Sequence, residues 1–187
     1  MSDFIQIRHN FRQVSRSVRQ MDKAVKQAVL SSMNRATQRA KTETGRKVRE
    51  RYVIKQSEVV QTISVRKAAA GNFRAVLTSK GNSIPLINFN VAPKKKLKKQ
   101  KPVKAAVLRG GNKKNIRNGF LAKVGSHIGV FERAGRKRFP IKELRGPAVP
   151  VMVGNKEVTD HVEAVYADEM EKRLPHELDR LLGRLRT

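Results

Sequence analysis

Residues 11–44, FRQVSRSVRQMDKAVKQAVLSSMNRATQRAKTET, decide the first part of the fold. Apolar side chains recur at Phe11, Val14, Val18, Met21, Val25, Ala28 or Val29, Met33, Ala36 and Ala40. Spacings of three and four repeat without a break, which keeps these side chains on one face of a helix and calls for that face to be buried. Neither Pro nor Gly interrupts the run, so it predicts one helix of roughly 50 Å at about 1.5 Å per residue. Gly45 is placed to end or bend it, while Val48 and Tyr52 would carry the stripe onward. The face between the apolar positions is basic, with Arg12, Arg16, Arg19, Lys23, Lys26, Arg35, Arg39 and Lys41. Only Asp22 and Glu43 relieve that charge within residues 11–45, so salt-bridge decoration alone is a poor account of it. The face is either a solvated helix surface or a rail towards DNA or an acidic neighbour.

Beyond this helix the chemistry turns to strands. Ser57 followed by Glu58 reads as the cap of a short helix to about Thr62. Ile63–Val65 and Phe73–Thr78 flank a Gly71-Asn72 turn and predict a hairpin. Ile84–Phe89 follows a second Gly-Asn pair, and its Pro85 suits an edge strand. Val103–Leu108, Phe120–Val124, Ile128–Glu132 and Arg138–Ile141 supply further extended pieces. A second helix follows, with Val158, Val162, Val165, Tyr166, Met170, Leu174, Leu178, Leu181 and Leu185 at helical spacing. Pro175 is expected to bend or break it after Leu174.

The fold class is therefore α+β in a single domain, since 187 residues allow little more. Residues 1–56 form an N-terminal helical part. Residues 57–154 form an antiparallel β-sheet, as a small barrel or sandwich, with an extended basic loop at 91–102. Residues 155–187 form a C-terminal helix bent at Pro175.

Charge points to the partner. Val59 to Phe131 holds no Asp or Glu in 73 residues but 16 Lys and Arg, eleven of them between Lys94 and Arg117. Like charges this dense favour facing a polyanion or staying solvated. The candidate DNA-binding residues are Lys94, Lys95, Lys96, Lys98, Lys99, Lys101, Lys104, Arg109, Lys113, Lys114 and Arg117. Across the chain, 42 basic residues face 15 acidic ones, a net of +27. Residues 1–154 carry +29 and residues 155–187 carry −2. Glu157 and Asp160 suit the dipole at a helix N-terminus, and the other carboxylates of that helix either stay solvated or meet arginines of another subunit.

Other function classes are poorly served. There is no Cys, hence no disulfide and no thiolate metal site, which fits a reducing cytoplasm or an assembly that needs no covalent staple. No apolar run reaches the roughly 18 residues of a membrane span, and MSDFIQIRHNF lacks the features of a signal peptide. His9, His127, His161 and His176 form no metal motif beyond weak matches such as Asp160 beside His161. Gly110-Gly111-Asn112-Lys113-Lys114 lacks the spacing of a phosphate-binding loop. A metal-dependent nuclease needs clustered carboxylates, which the long acid-free middle does not offer. The nine Phe and Tyr residues are not arrayed as a base-stacking platform. No enzyme, cofactor or metal is expected. What remains is nonspecific electrostatic contact with a phosphate backbone.

The order of several segments resembles the minor tail protein Z family of long-tailed bacteriophages, also called tail completion proteins. AVLSSMNRATQRAKTETGRKVRER, Ala28 to Arg51, is similar to the family's helix with its Asn-Arg pair, here Asn34-Arg35. Ser83–Ile87 resembles its short Pro-containing strand. Gly119–Ala122, Phe131–Arg133, Arg138–Ile141 and Gly146–Pro150 match best, and Arg173–Leu178 resembles the C-terminal helix signature. The resemblance implies a noncatalytic virion protein of the tail neck, present in the host cytoplasm during assembly. It implies a head-proximal position between tail terminator and head connector, where the tail is finished and the genome end is seated before DNA ejection. Its implied partners are copies of itself in a six-fold ring, the tail terminator and tail tube proteins, the head–tail connector proteins and double-stranded genomic DNA. No membrane partner is implied. The rival reading from another class is a cellular nonspecific nucleic-acid-binding protein, ribosome-associated or chromatin-type.

Overall fold

A computed structural model describes residues 3–8, 23–94 and 102–185. Helix α1 (Lys23–Arg51) carries the expected stripe: Ala28, Val29, Met33, Ala36 and Ala40 are buried. The part of that helix expected before Lys23, with Arg12, Arg16 and Arg19, lies outside the described residues. Gly45 does not end α1; the helix passes through it, and Val48 extends the buried face by two more turns. The partner is helix α4 (Lys156–Leu185). Lys47 and Arg51 meet Glu157, Thr37 lies beside Tyr166, and Ser31 lies beside Glu177, so the two helices run antiparallel.

Of the bend or break expected at Pro175, a break is absent, because α4 continues through it to Leu185. Pro175 is exposed, which keeps its ring away from α1, and the helix is held by packing on both sides, at Met170 and Leu174 on one and Glu177 on the other. Its missing N–H leaves one solvent-side carbonyl to water.

Between the helices the chain builds β1 (Asp3–Arg8), α2 (Gln56–Gln61), β2 (Ile63–Arg66), β3 (Val76–Gly81), β4 (Ser83–Pro85), β5 (Asn90–Ala92), β6 (Lys104–Ala106), β7 (Lys114–Asn115), β8 (Phe120–Val124), β9 (His127–Arg133), β10 (Ile141–Glu143), β11 (Arg145–Ala148) and α3 (Val149–Val153). All described pairings are antiparallel. The predicted hairpin is present, with Ile63 opposite Ser79 and Val65 opposite Leu77. Ser57 does not cap the short helix before it: α2 starts one residue earlier, with Lys55 at the cap position and no capping side chain.

Two expectations are corrected. The N-terminal part is not wholly helical, because β1 pairs with β3 from Asp3–Gly81 to Arg8–Val76. There is also no closed barrel among the described residues. The strands divide into the small sheets β1-β3-β2, β10-β9-β8, β11-β4 and β5-β6-β7. The division has a local cause at Ile84–Phe89, where Pro85 is followed by a 3-10 turn at Leu86–Asn88. That turn splits one extended run into β4 and β5, which then enter different sheets.

One apolar cluster ties these pieces to the helix pair. Ala40 and Val48 of α1, Val162 of α4 and Met152 of α3 share it with Val91 and Val130 from the sheets. α2 presses closely on α1 at Gly45, where an added Cβ would lie 2.7 Å from Val60 Cγ2. A side chain on α1 at this turn would therefore push α2 away.

Candidate nucleic-acid interface

The basic segment takes its position from three residues on either side. β5 and β6 pair as Asn90–Ala106, Val91–Ala105 and Ala92–Lys104. The segment between them is therefore the connection of a β5–β6 hairpin. Val91 and Val103 flank it and are each only 1% exposed, so both of its roots are fixed in the core. β7 joins the same sheet, with Lys104 opposite Asn115 and Ala105 opposite Lys114. The Ile116 N–H donates to the Val103 carbonyl at 2.8 Å, which draws the residue before Arg117 to the same root.

Of the eleven sequence-predicted residues, the structure describes six. Lys95, Lys96, Lys98, Lys99 and Lys101 lie outside the described residues. Lys94, Lys104 and Arg117 are exposed around the root of the hairpin connection. Lys113 and Lys114 are exposed on and just before β7, one short strand away. None of these five exposed cations forms an ion pair with a described carboxylate. Such cations keep full charge for an outside anion, and a lysine ammonium meets phosphate as a point charge without reading bases.

Arg109 goes elsewhere. Its side-chain Nε–H donates to the Arg49 carbonyl at 2.9 Å and its backbone N–H to the Arg51 carbonyl at 2.8 Å. These are the last carbonyls of α1, which lack intrahelical donors and attract cations. Arg109 thus closes a helix end. In doing so it lines a cleft of about 380 Å³ with Arg46, Arg49 and Glu50. Sequence reading did not single out Arg46 and Arg49; their spacing of three on a helix was the available signal.

The acidic helix is largely satisfied within its own chain. The Glu157 carboxylate takes Lys47 Nζ at 3.3 Å and also Arg51. Lys47, with Arg51, holds the Glu157 carboxyl below its usual range, and Glu157 with Glu50 holds the Lys47 ammonium above its own. Asp160, Asp168 and Glu169 pair with Lys156, Lys172 and Arg173 one turn along α4. Glu163 and Glu171 are exposed and make no hydrogen bond or ion pair with a described residue.

His127 begins β9 and contacts Glu143 through Nε2 at 2.6 Å. Among the described residues no group of three or more His, Cys, Asp or Glu is placed to hold a metal ion. No described helix is long and apolar enough to cross a membrane.

The family model of prophage minor tail protein Z matches residues 11–186 of the chain. No curated protein and no solved structure matches it.

Proposed function

This chain belongs to the prophage minor tail protein Z family, and from that premise we propose that it completes the phage tail at its head-proximal end. Membership makes it a phage minor tail protein, a component of the virion. In our reading it sits in the tail neck between the tail terminator and the head connector, after assembling in the host cytoplasm. Copies of it form a six-fold ring whose basic connections face the end of the double-stranded genome. No chemistry is required of it.

One observation carries the reading. The six lysines between Lys94 and Lys101 lie in sequence between two buried valines, Val91 and Val103. Beside those valines Lys94, Lys104 and Arg117 are exposed and add their charge to that of the segment. A phosphate backbone is served by such an array whatever its sequence, as the end of any genome would require.

The test replaces Lys94, Lys95, Lys96, Lys98, Lys99 and Lys101 by Gln. Duplex binding should weaken, and the slope of log K against log salt should become shallower by about 0.9 for each phosphate that is no longer neutralised. Binding and slope equal to those of the unmodified chain would remove DNA as the segment's partner. A cryo-EM map of the virion neck tests the position itself.

A further inference from the structure

The register of β8, β9 and β10 divides their side chains between two faces. Leu121 and Val130 pair across the strands and lie in the core. The opposite face carries Phe120, Ala122 and Val124 of β8, His127, Phe131 and Arg133 of β9, and Ile141 and Glu143 of β10, with Glu143 held by His127 and Arg145. No other described element covers its outer part: Val124 is 52% exposed and Phe139, in the β9–β10 connection, is 62% exposed. Between β8 and Phe139 runs a groove of about 420 Å³. Its margin is cationic. The Arg133 guanidinium lies 5.9 Å from the centre of the Phe120 ring, and that of Arg138 lies 5.7 Å from the Phe139 ring. Neither arginine pairs with a described carboxylate.

We propose that this face receives the acidic side of α4 from a second copy of the chain. The inference rests on the ring reading above and names the two surfaces that meet. Exposed aromatic rings backed by arginines have the composition of interface hot spots, and a contiguous exposed apolar patch marks an interaction site. The groove's chemistry selects the occupant. Guanidinium groups pair with carboxylates in a fixed fork, while the apolar floor offers nothing to a phosphate backbone. The partner is therefore a protein surface that sets carboxylates beside small apolar groups. α4 provides such a surface. Glu163, Ala164, Ala167 and Glu171 are exposed at helical spacing, and neither glutamate forms a hydrogen bond or ion pair among the described residues, Glu163 meeting only the longer-range charge of Lys156. They stand about 12 Å apart along the helix. The two alanines let the helix backbone come close to Phe139. The C-terminal segment is also the one part of this +27 chain with net negative charge. Because groove and helix are different surfaces, the contact is head-to-tail, the kind that closes into rings.

Sedimentation velocity on the full chain tests this, with circular dichroism to verify folding. Arg133→Glu with Arg138→Glu should weaken self-association by at least about tenfold, and so should Glu163→Arg with Glu171→Arg. An equimolar mixture of the two double variants should recover association, since each acidic surface again meets a basic one. Wild-type association in both folded variants, or weakened association that mixing does not restore, overturns the proposed contact and leaves the ring reading standing. Loss of duplex retention by the Arg133/Arg138 variant with unchanged self-association assigns the face to DNA and overturns it too. A wild-type chain that stays monomeric at all concentrations removes the ring reading and this contact together.

Discussion

The side-chain amide of Asn34 holds both backbone polar groups of Ala68. Nδ2 donates to the Ala68 carbonyl at 3.1 Å, and the Ala68 N–H donates to Oδ1 at 2.8 Å. A helix side chain thereby acts as a one-residue strand partner for the segment between β2 and β3. The Asn of the Asn34-Arg35 pair thus acquires a structural duty. Ala68 also packs with Val29, Met33 and Phe73, so the clamp seats a small apolar cluster.

Asn34→Ala leaves a backbone donor and acceptor of Ala68 unpaired and should destabilise the fold by about 1–3 kcal/mol. Asn34→Asp keeps the acceptor but sets a carboxylate against the Ala68 carbonyl, so it too should destabilise. Urea midpoints of both variants measure this; an unshifted midpoint for Asn34→Ala would show the clamp to be idle.

Gly45→Ala sets two effects against each other. Removing a helix-interior glycine gains about 0.5–1 kcal/mol. The new methyl, however, would stand 2.7 Å from Val60 Cγ2 and 3.0 Å from Gln56 Cγ. Overpacking of this kind costs about 1–3 kcal/mol, and Val60 is β-branched and stiff, so the net effect should be destabilising. Val60→Ala in the same chain should recover much of the loss. A double-mutant cycle with zero coupling would refute the close approach.

Glu157 gives the helix pair an acid limit. Its folded pKa lies below the ordinary value of 4.5 because Lys47 and Arg51 stabilise the charged form. That stability is fully present above 4.5 and is lost as the pH falls through the lower folded value. The stability difference between the wild type and Glu157→Gln should therefore shrink on acidification below 4.5. A difference constant through the acid range would contradict the ion pairs.

Tyr166 sets an alkaline limit. Burial against α1 pushes its hydroxyl up from 10.0 to about 12, with Thr37 acting weakly the other way. Between those values the unfolded chain releases this proton and the folded chain keeps it, so stability falls with rising pH. Tyr166→Phe should lose stability less steeply than wild type from about 10 to about 12. Identical slopes would mean that the ring is not held in a desolvated site.

What the sequence disclosed follows the range of the interactions involved. The α1 stripe from Ala28 to Ala40 was readable because burial imposes helical periodicity on neighbouring residues. The β2–β3 hairpin was announced by its own turn. β1 was not: DFIQIR has a short alternation, but its partner β3 lies about seventy residues on. The split of Ile84–Phe89 into two sheets was likewise hidden, since a 3-10 turn after Pro85 leaves a weak local signal. At the candidate interface, charge counting found the lysines but not that their segment closes a hairpin, because three residue pairs decide that. It also passed over Arg133 and Arg138, whose meaning lies in the rings beneath them. Linear charge density does not report which face of a sheet a cation shares with a phenylalanine.

The burial of Val91 and Val103 couples a cationic surface to the interior. Lys104 is exposed in β6 directly beside Val103, and the Ile116 N–H that bonds the Val103 carbonyl stands next to exposed Arg117. A cavity opened at Val103 would therefore reach both cations from the inside, so the surface charge can be perturbed without altering a single charged residue.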